Sequence, residues 1–189
     1  MPIIGRFGSL AGLGSLILPG GAMESIATVT VGSGGASSIE FTSIPGTYQH
    51  LQVRGLTKDT VGAASYSCLT QFNGDTTSAN YATHILQGNG TTASSAGYTS
   101  TGGAYTPVNP GSSLTYFGAF VIDILDYSNT SKNTTIRSMD GHDQNGSGAV
   151  RLVSGLWIST AAVTSIKLVA GNTAFAQHST AALFGLRAP

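Results

Sequence analysis

Acid, amide and imidazole groups crowd most closely in Asp140-Gly141-His142-Asp143-Gln144-Asn145-Gly146-Ser147-Gly148. Carboxylate and amide oxygens on a glycine-rich loop are what a hard cation such as calcium requires. The order of residues does not supply the site: the D-x-D-x-D-G register is missing, and no Glu follows to bind an ion through both oxygens. His142 has no second His or Cys at ligand spacing, so zinc is not implied either. The stretch reads as a solvated hairpin turn, with Asp140, His142, Asp143 and Asn145 offered to a partner or a glycan.

The other reactive groups are scattered. His50, His84 and His178 stand in or beside strand-like runs, where hydrogen-bonded or surface roles are expected. Nucleophilic catalysis needs a base held against a hydroxyl, yet this Ser-rich chain has no G-x-S-x-G. Glycoside cleavage needs two carboxylates across a groove. Glu24, Glu40, Asp59, Asp75, Asp123, Asp126, Asp140 and Asp143 are the acids present, and nothing in their order pairs them. The expectation is a protein without enzymatic activity, metal or cofactor. Tyr98 and Tyr105 are the large side chains of a stretch dominated by Gly, Ser, Thr, Asn and Ala, with Tyr66, Tyr81 and Tyr116 nearby in sequence. Such rings either anchor a core or interface or stack on sugars, and both uses stay open. The single cysteine, Cys68, lies in an alternating run with no neighbour to activate it and no partner for an internal disulfide.

The elements that must carry these groups are strands. Apolar residues alternate with polar ones in Ser25 to Val31, Ser38 to Ser43, Tyr48 to Gly55, Ser65 to Phe72 and Tyr81 to Leu86. They do so again in Leu114 to Leu125, Lys132 to Met139, Val150 to Ile158, Val163 to Val169 and Ala181 to Arg187. Leu51 and Val53 should face inward with Gln52 and Arg54 outward, and Ile166 and Leu168 should oppose Ser165 and Lys167. The run from Leu114 to Leu125 is apolar on both faces, which suits a central or intersubunit strand. Residues 87 to 110 read as a long loop or an excursion over the surface, of a length that is usually functional or mobile. About ten short strands separated by turns predict an all-β protein, an antiparallel jelly-roll-like β-sandwich over residues 23–189, carrying an extended N-terminal arm over residues 1–22.

The arm is the sharpest segment. Ile3, Ile4, Phe7, Leu10, Leu13, Leu16, Ile17 and Leu18 are eight large apolar side chains within sixteen positions. Glycines interrupt the run and Arg6 is its only charge, which makes a poor secretory signal and a poor membrane span. Leaving such side chains in water forgoes roughly 1.5–3 kcal/mol each. They are expected to be buried against another chain, with strand addition as the binding mode.

Composition agrees with an assembled life. Charged residues make up 8% of the 189, eight basic against eight acidic, compared with about 25% in globular domains. No basic surface for nucleic acid or anionic lipid is implied, and so weakly charged a surface is poorly protected against association.

The C-terminal third carries a resemblance. Thr135-Ile136-Arg137-Ser138 is followed by the Gly/Asp/Asn loop, then by S-G-x-W-x-S-T-x-A-V-x-S-I from Ser154 to Ile166. Phe175-Ala176-Gln177 with Ser179 and a last run Ala182-Leu183-Phe184-Gly185-Leu186-Arg187 complete it. This block resembles the C-terminal part of many virion structural proteins of tailed bacteriophages, whose last strand typically reads A-L-Y-G-I. Here Phe184 and Leu186 stand for the usual Tyr and Ile, which keeps the strand pattern and removes a hydroxyl. The resemblance implies location in the virion and a homotrimer bound to other virion proteins. The favoured role is a capsid decoration or cement protein on the major capsid protein; the alternative is a tail fibre reading host glycan. Nucleic acid and membrane are not expected partners.

Overall fold

The structure is a computed structural model that describes residues 22–62, 65–99, 101–111, 115–143 and 145–187. The chain is all-β. Its strands are β1 (Met23–Thr30), β2 (Ser38–Phe41), β3 (His50–Thr57), β4 (Ser65–Phe72), β5 (Tyr81–Gly88), β6 (Ala93–Thr99) and β7 (Ala104–Pro110). They continue with β8 (Gly118–Leu125), β9 (Thr134–Asp143), β10 (Gly148–Trp157), β11 (Ile166–Val169) and β12 (Thr180–Leu186). A 3-10 turn, Ser78–Asn80, precedes β5.

Alternation decides which side chains meet. In β8 the residues Phe120, Ile122 and Ile124 are buried while Ala119 is exposed and Val121 and Asp123 are half-buried. The same period puts Leu51 and Val53 of β3, and Ile166 and Leu168 of β11, wholly inside. Two antiparallel sheets result. One has eight strands in the order β1-β12-β3-β8-β9-β10-β5-β6, the other four in the order β2-β11-β4-β7. Their inner faces form one core, where Phe72 of the small sheet meets Trp157 of the large one at 5.5 Å between ring centroids. Strand β7 lies over β8, β9, β10 and β5.

Three expectations are corrected. Residues 87–110 are no surface loop: they contain β6 and β7. All seven residues of β6 are exposed, so none needed to be apolar, and β7 is interrupted by prolines. Twelve strands are therefore present among the described residues instead of about ten. The predicted polar turn from Asp140 to Gly148 shrinks, because β9 runs on to Asp143 and β10 starts at Gly148. The arm residues Ile3, Ile4, Phe7, Leu10, Leu13, Leu16, Ile17 and Leu18 lie outside the described residues.

Candidate functional site

Register across the large sheet sorts the predicted residues into two ends. Met23 pairs with Leu186 and Leu186 with His50, which marks the end where the chain enters β1. At the opposite end Ala119, Gly141, Val150, Gly88 and Ala93 fall in one cross-strand row. The β9–β10 hairpin and the β5–β6 turn therefore stand side by side, far from residue 23. Between them is an open hollow of about 440 Å³ lined by Asn89, Gly90, His142, Asp143 and Ser147 among others. Asn145 adopts a positive φ of 56°, and the Gly146 amide donates to the Asp143 carboxylate at 3.1 Å, which fixes the turn.

Asp140 does not belong to this hollow's exposed rim. Its side chain faces inward from β9, opposite Arg151 of β10, and both are almost completely buried. Arg151 Nε donates to Asp140 Oδ1 at 2.9 Å and Nη2 to Oδ2 at 3.3 Å, while Nη1 reaches Ser67 Oγ of β4 at 2.8 Å. This forked pair ties the hairpin to the other sheet, and losing one partner would strand a charge in the core. The sequence hides it, because the two residues are eleven apart and only strand register brings them together. His142 is half-buried at the mouth; burial pushes its imidazole below the usual value, and the nearby Arg151 charge acts the same way against the Asp140 and Asp143 carboxylates.

Tyr98 and Tyr105 are brought together, but elsewhere. Tyr98 of β6 and Tyr105 of β7 meet edge to face at 4.9 Å, joining the rims of the two sheets. Tyr98 pairs with Thr83, in the cross-strand row that runs through Leu51 and Ile124 near the entry end. Neither lines the hollow at the β9–β10 turn.

The remaining reactive groups are held apart. Burial pushes the Cys68 thiol far above its usual range, so it is an inert core group. His50 Nδ1 lies 2.9 Å from the Asp126 amide and 3.3 Å from Asp126 Oδ1. Asp126 is held below the usual carboxylate range by Lys132. Among the described residues no group of three His, Cys, Asp or Glu side chains could hold a metal ion.

One surface was not anticipated. On the outer face of the large sheet, Val121, Met139, Leu152 and Leu86 form a cross-strand row over β8, β9, β10 and β5. The next row adds Leu56, Ala119 and Val150. Leu56, Leu86, Met139, Leu152 and Val150 are 47–58% exposed. The row on the other side is polar: Gln52 Nε2 donates to Asp123 Oδ1 at 2.6 Å, and Arg137 Nε to Asp123 Oδ2 at 3.1 Å. The signal was in β10, whose outward residues Val150, Leu152 and Leu156 are as apolar as its inward ones. At the far edge, β6 carries no charge, proline or register shift, whereas β1 has a bulge at Ser25 to Ala27 and its Glu24 is clasped by Arg187.

Compared with known proteins, the chain matches no family model, no curated sequence and no solved structure.

Proposed function

We propose that this protein is a structural component of a tailed-bacteriophage virion, acting as a capsid decoration or cement protein that binds the outer capsid surface and stabilises the head. The observation that carries the reading is the exposed apolar stripe on a molecule with so few charges, since contiguous faces of this kind are normally covered by another protein. The winding supports it too. With the hairpins β5–β6 and β9–β10 set aside, the strands fall into β1-β12-β3-β8 and β2-β11-β4-β7. We read this order as a jelly roll, an architecture that recurs in viral capsid proteins, which is an analogy of fold and not of site. The protein assembles with itself, as a trimer if the resemblance of its C-terminal third holds. The apolar residues 1–22 then bridge neighbouring subunits on the particle and add stability by mass action. Catalysis, cofactor, nucleic acid and membrane have no part in this role. Particles lacking the protein are expected to release their genome at lower temperature, and hundreds of copies are expected per virion. Unchanged particle stability would refute the cement role.

A second reading, a tail fibre or receptor-binding tip, is favoured by the hollow that exposes His142, Asp143 and Asn89 at the end opposite the entry to β1. Then a few to a few tens of copies would be counted, and altering Asp143 and Asn145 would abolish adsorption to the host while leaving particles intact.

A further inference from the structure

We propose that the stripe formed by Leu56, Val121, Met139, Val150, Leu152 and Leu86 is the docking site for the apolar N-terminal segment of a second copy of this chain, with Leu13 to Leu18 at its centre. This deepens the reading above by naming the arm's partner, and it rests on self-assembly, not on the virion assignment.

Size and chemistry match. From β3 to β5 the stripe crosses four strand spacings, about 19 Å, which an extended segment of about six residues covers. Leu13 to Leu18 is six residues long and contains Leu13, Leu16, Ile17 and Leu18. The arm brings no charge, since residues 7–22 contain none; on the stripe's border Asp123 and Arg137 are bonded to each other, and Arg54, beside Val121 at the β3 end, donates through Nε to Gln52 Oε1. Met139, at the middle, is unbranched and adapts to what lies on it. Gly12 and Gly14 let the backbone lie close to the sheet.

Reach decides whose arm it is. Leu16 is seven residues before Met23, so on its own subunit it travels no farther than about 23 Å, and Leu18 less. From Met23, counting strands across and residues along, Leu152 and Leu86 are about 27 and 32 Å away. Leu16, Ile17 and Leu18 therefore fall short of Leu152 and Leu86 on their own subunit, and a second copy's run is the one that can lay all three there. Such a contact joins two different patches head to tail, the kind that closes into a ring when the rotation from copy to copy divides a full turn and runs on as a filament when it does not.

Complementation in the full-length chain tests this. One variant disables the arm (Leu13→Asp, Leu16→Asp, Ile17→Asp), the other the stripe (Met139→Asp, Leu152→Asp), and light scattering reads mass at micromolar concentration. The unaltered chain is expected to associate, each variant alone to be monomeric, and their equal mixture to form a one-to-one complex, since one supplies an intact arm and the other an intact stripe. Circular dichroism checks that both fold; if the stripe variant does not, Met139→Ala with Leu152→Ala replaces it, with an expected loss of at least tenfold in affinity. A mixture that stays monomeric, a stripe variant that associates like the unaltered chain, or an unaltered chain that is itself monomeric would each overturn the proposal.

Discussion

Asp75 sits just past β4 and gathers donors from three directions. Trp157 Nε1 and Asn80 Nδ2 both reach its Oδ2 at 2.8 Å, and the Thr77 amide reaches Oδ1 at 2.8 Å. Burial works against its charge, but these hydrogen bonds outweigh it and hold the carboxyl at about 2. A carboxyl depressed in the folded state stabilises the fold fully above its unfolded value near 4, and that contribution is lost as pH falls toward about 2. Trp157 itself reports on the site. We expect its fluorescence and the urea midpoint to change together between about pH 4 and 2, and Asp75→Asn to flatten that dependence. A variant with the same acid profile as the unaltered chain would assign the transition to other carboxylates. None of this was visible as a site in the sequence, where Asp75 is simply a turn residue in Asn73-Gly74-Asp75; one of its donors, Trp157, comes from a strand 82 positions later.

At the level of strands, what could be read in advance was whatever periodicity alone dictates. Leu51, Val53, Phe120, Ile122, Ile124, Ile166 and Leu168 are buried as their alternation requires. What escaped were strands and faces that alternation does not mark. β6 is solvated on both sides, so its Ser and Gly residues mimic a loop, and of the outer stripe only Val121 stood in a run that reads as apolar on both faces. Close approach between strands is likewise silent in sequence. Gly55 of β3 lies where an added Cβ would come within 2.3 Å of the Thr180 carbonyl oxygen of β12 and 2.7 Å of the Phe120 ring. Gly55→Ala must push β12 or β8 aside, and a loss of about 1–3 kcal/mol is expected from overpacking. Gly32, with nothing within 4 Å of the same position, is the control, and Gly32→Ala should change the urea midpoint by less than about 0.5 kcal/mol equivalent. Equal effects at the two sites would show that strand spacing is not what makes Gly55 necessary.

For the molecule as a whole, the charges that exist are mostly spent on one another: Lys132 with Asp126, Arg137 with Asp123, Lys167 with Glu40, Arg187 with Glu24, and Arg151 with Asp140 in the core. Association between copies should therefore rest on apolar burial, which salt does not screen. We expect the assembled mass of the full-length chain to be the same at about 0.1 and 1 M sodium chloride, where the screening length falls from about 10 to 3 Å. Dissociation at high salt would mean that ion pairs hold the copies together. The two edges of the large sheet add a separate consequence. A strand edge without charge, proline or bulge accepts another strand, and one that is bulged and clasped does not. Only β6 is of the first kind. Strand addition through β6 is consequently self-terminating for the large sheet: once two of them join edge to edge, both remaining edges are β1, and that sheet lengthens no further.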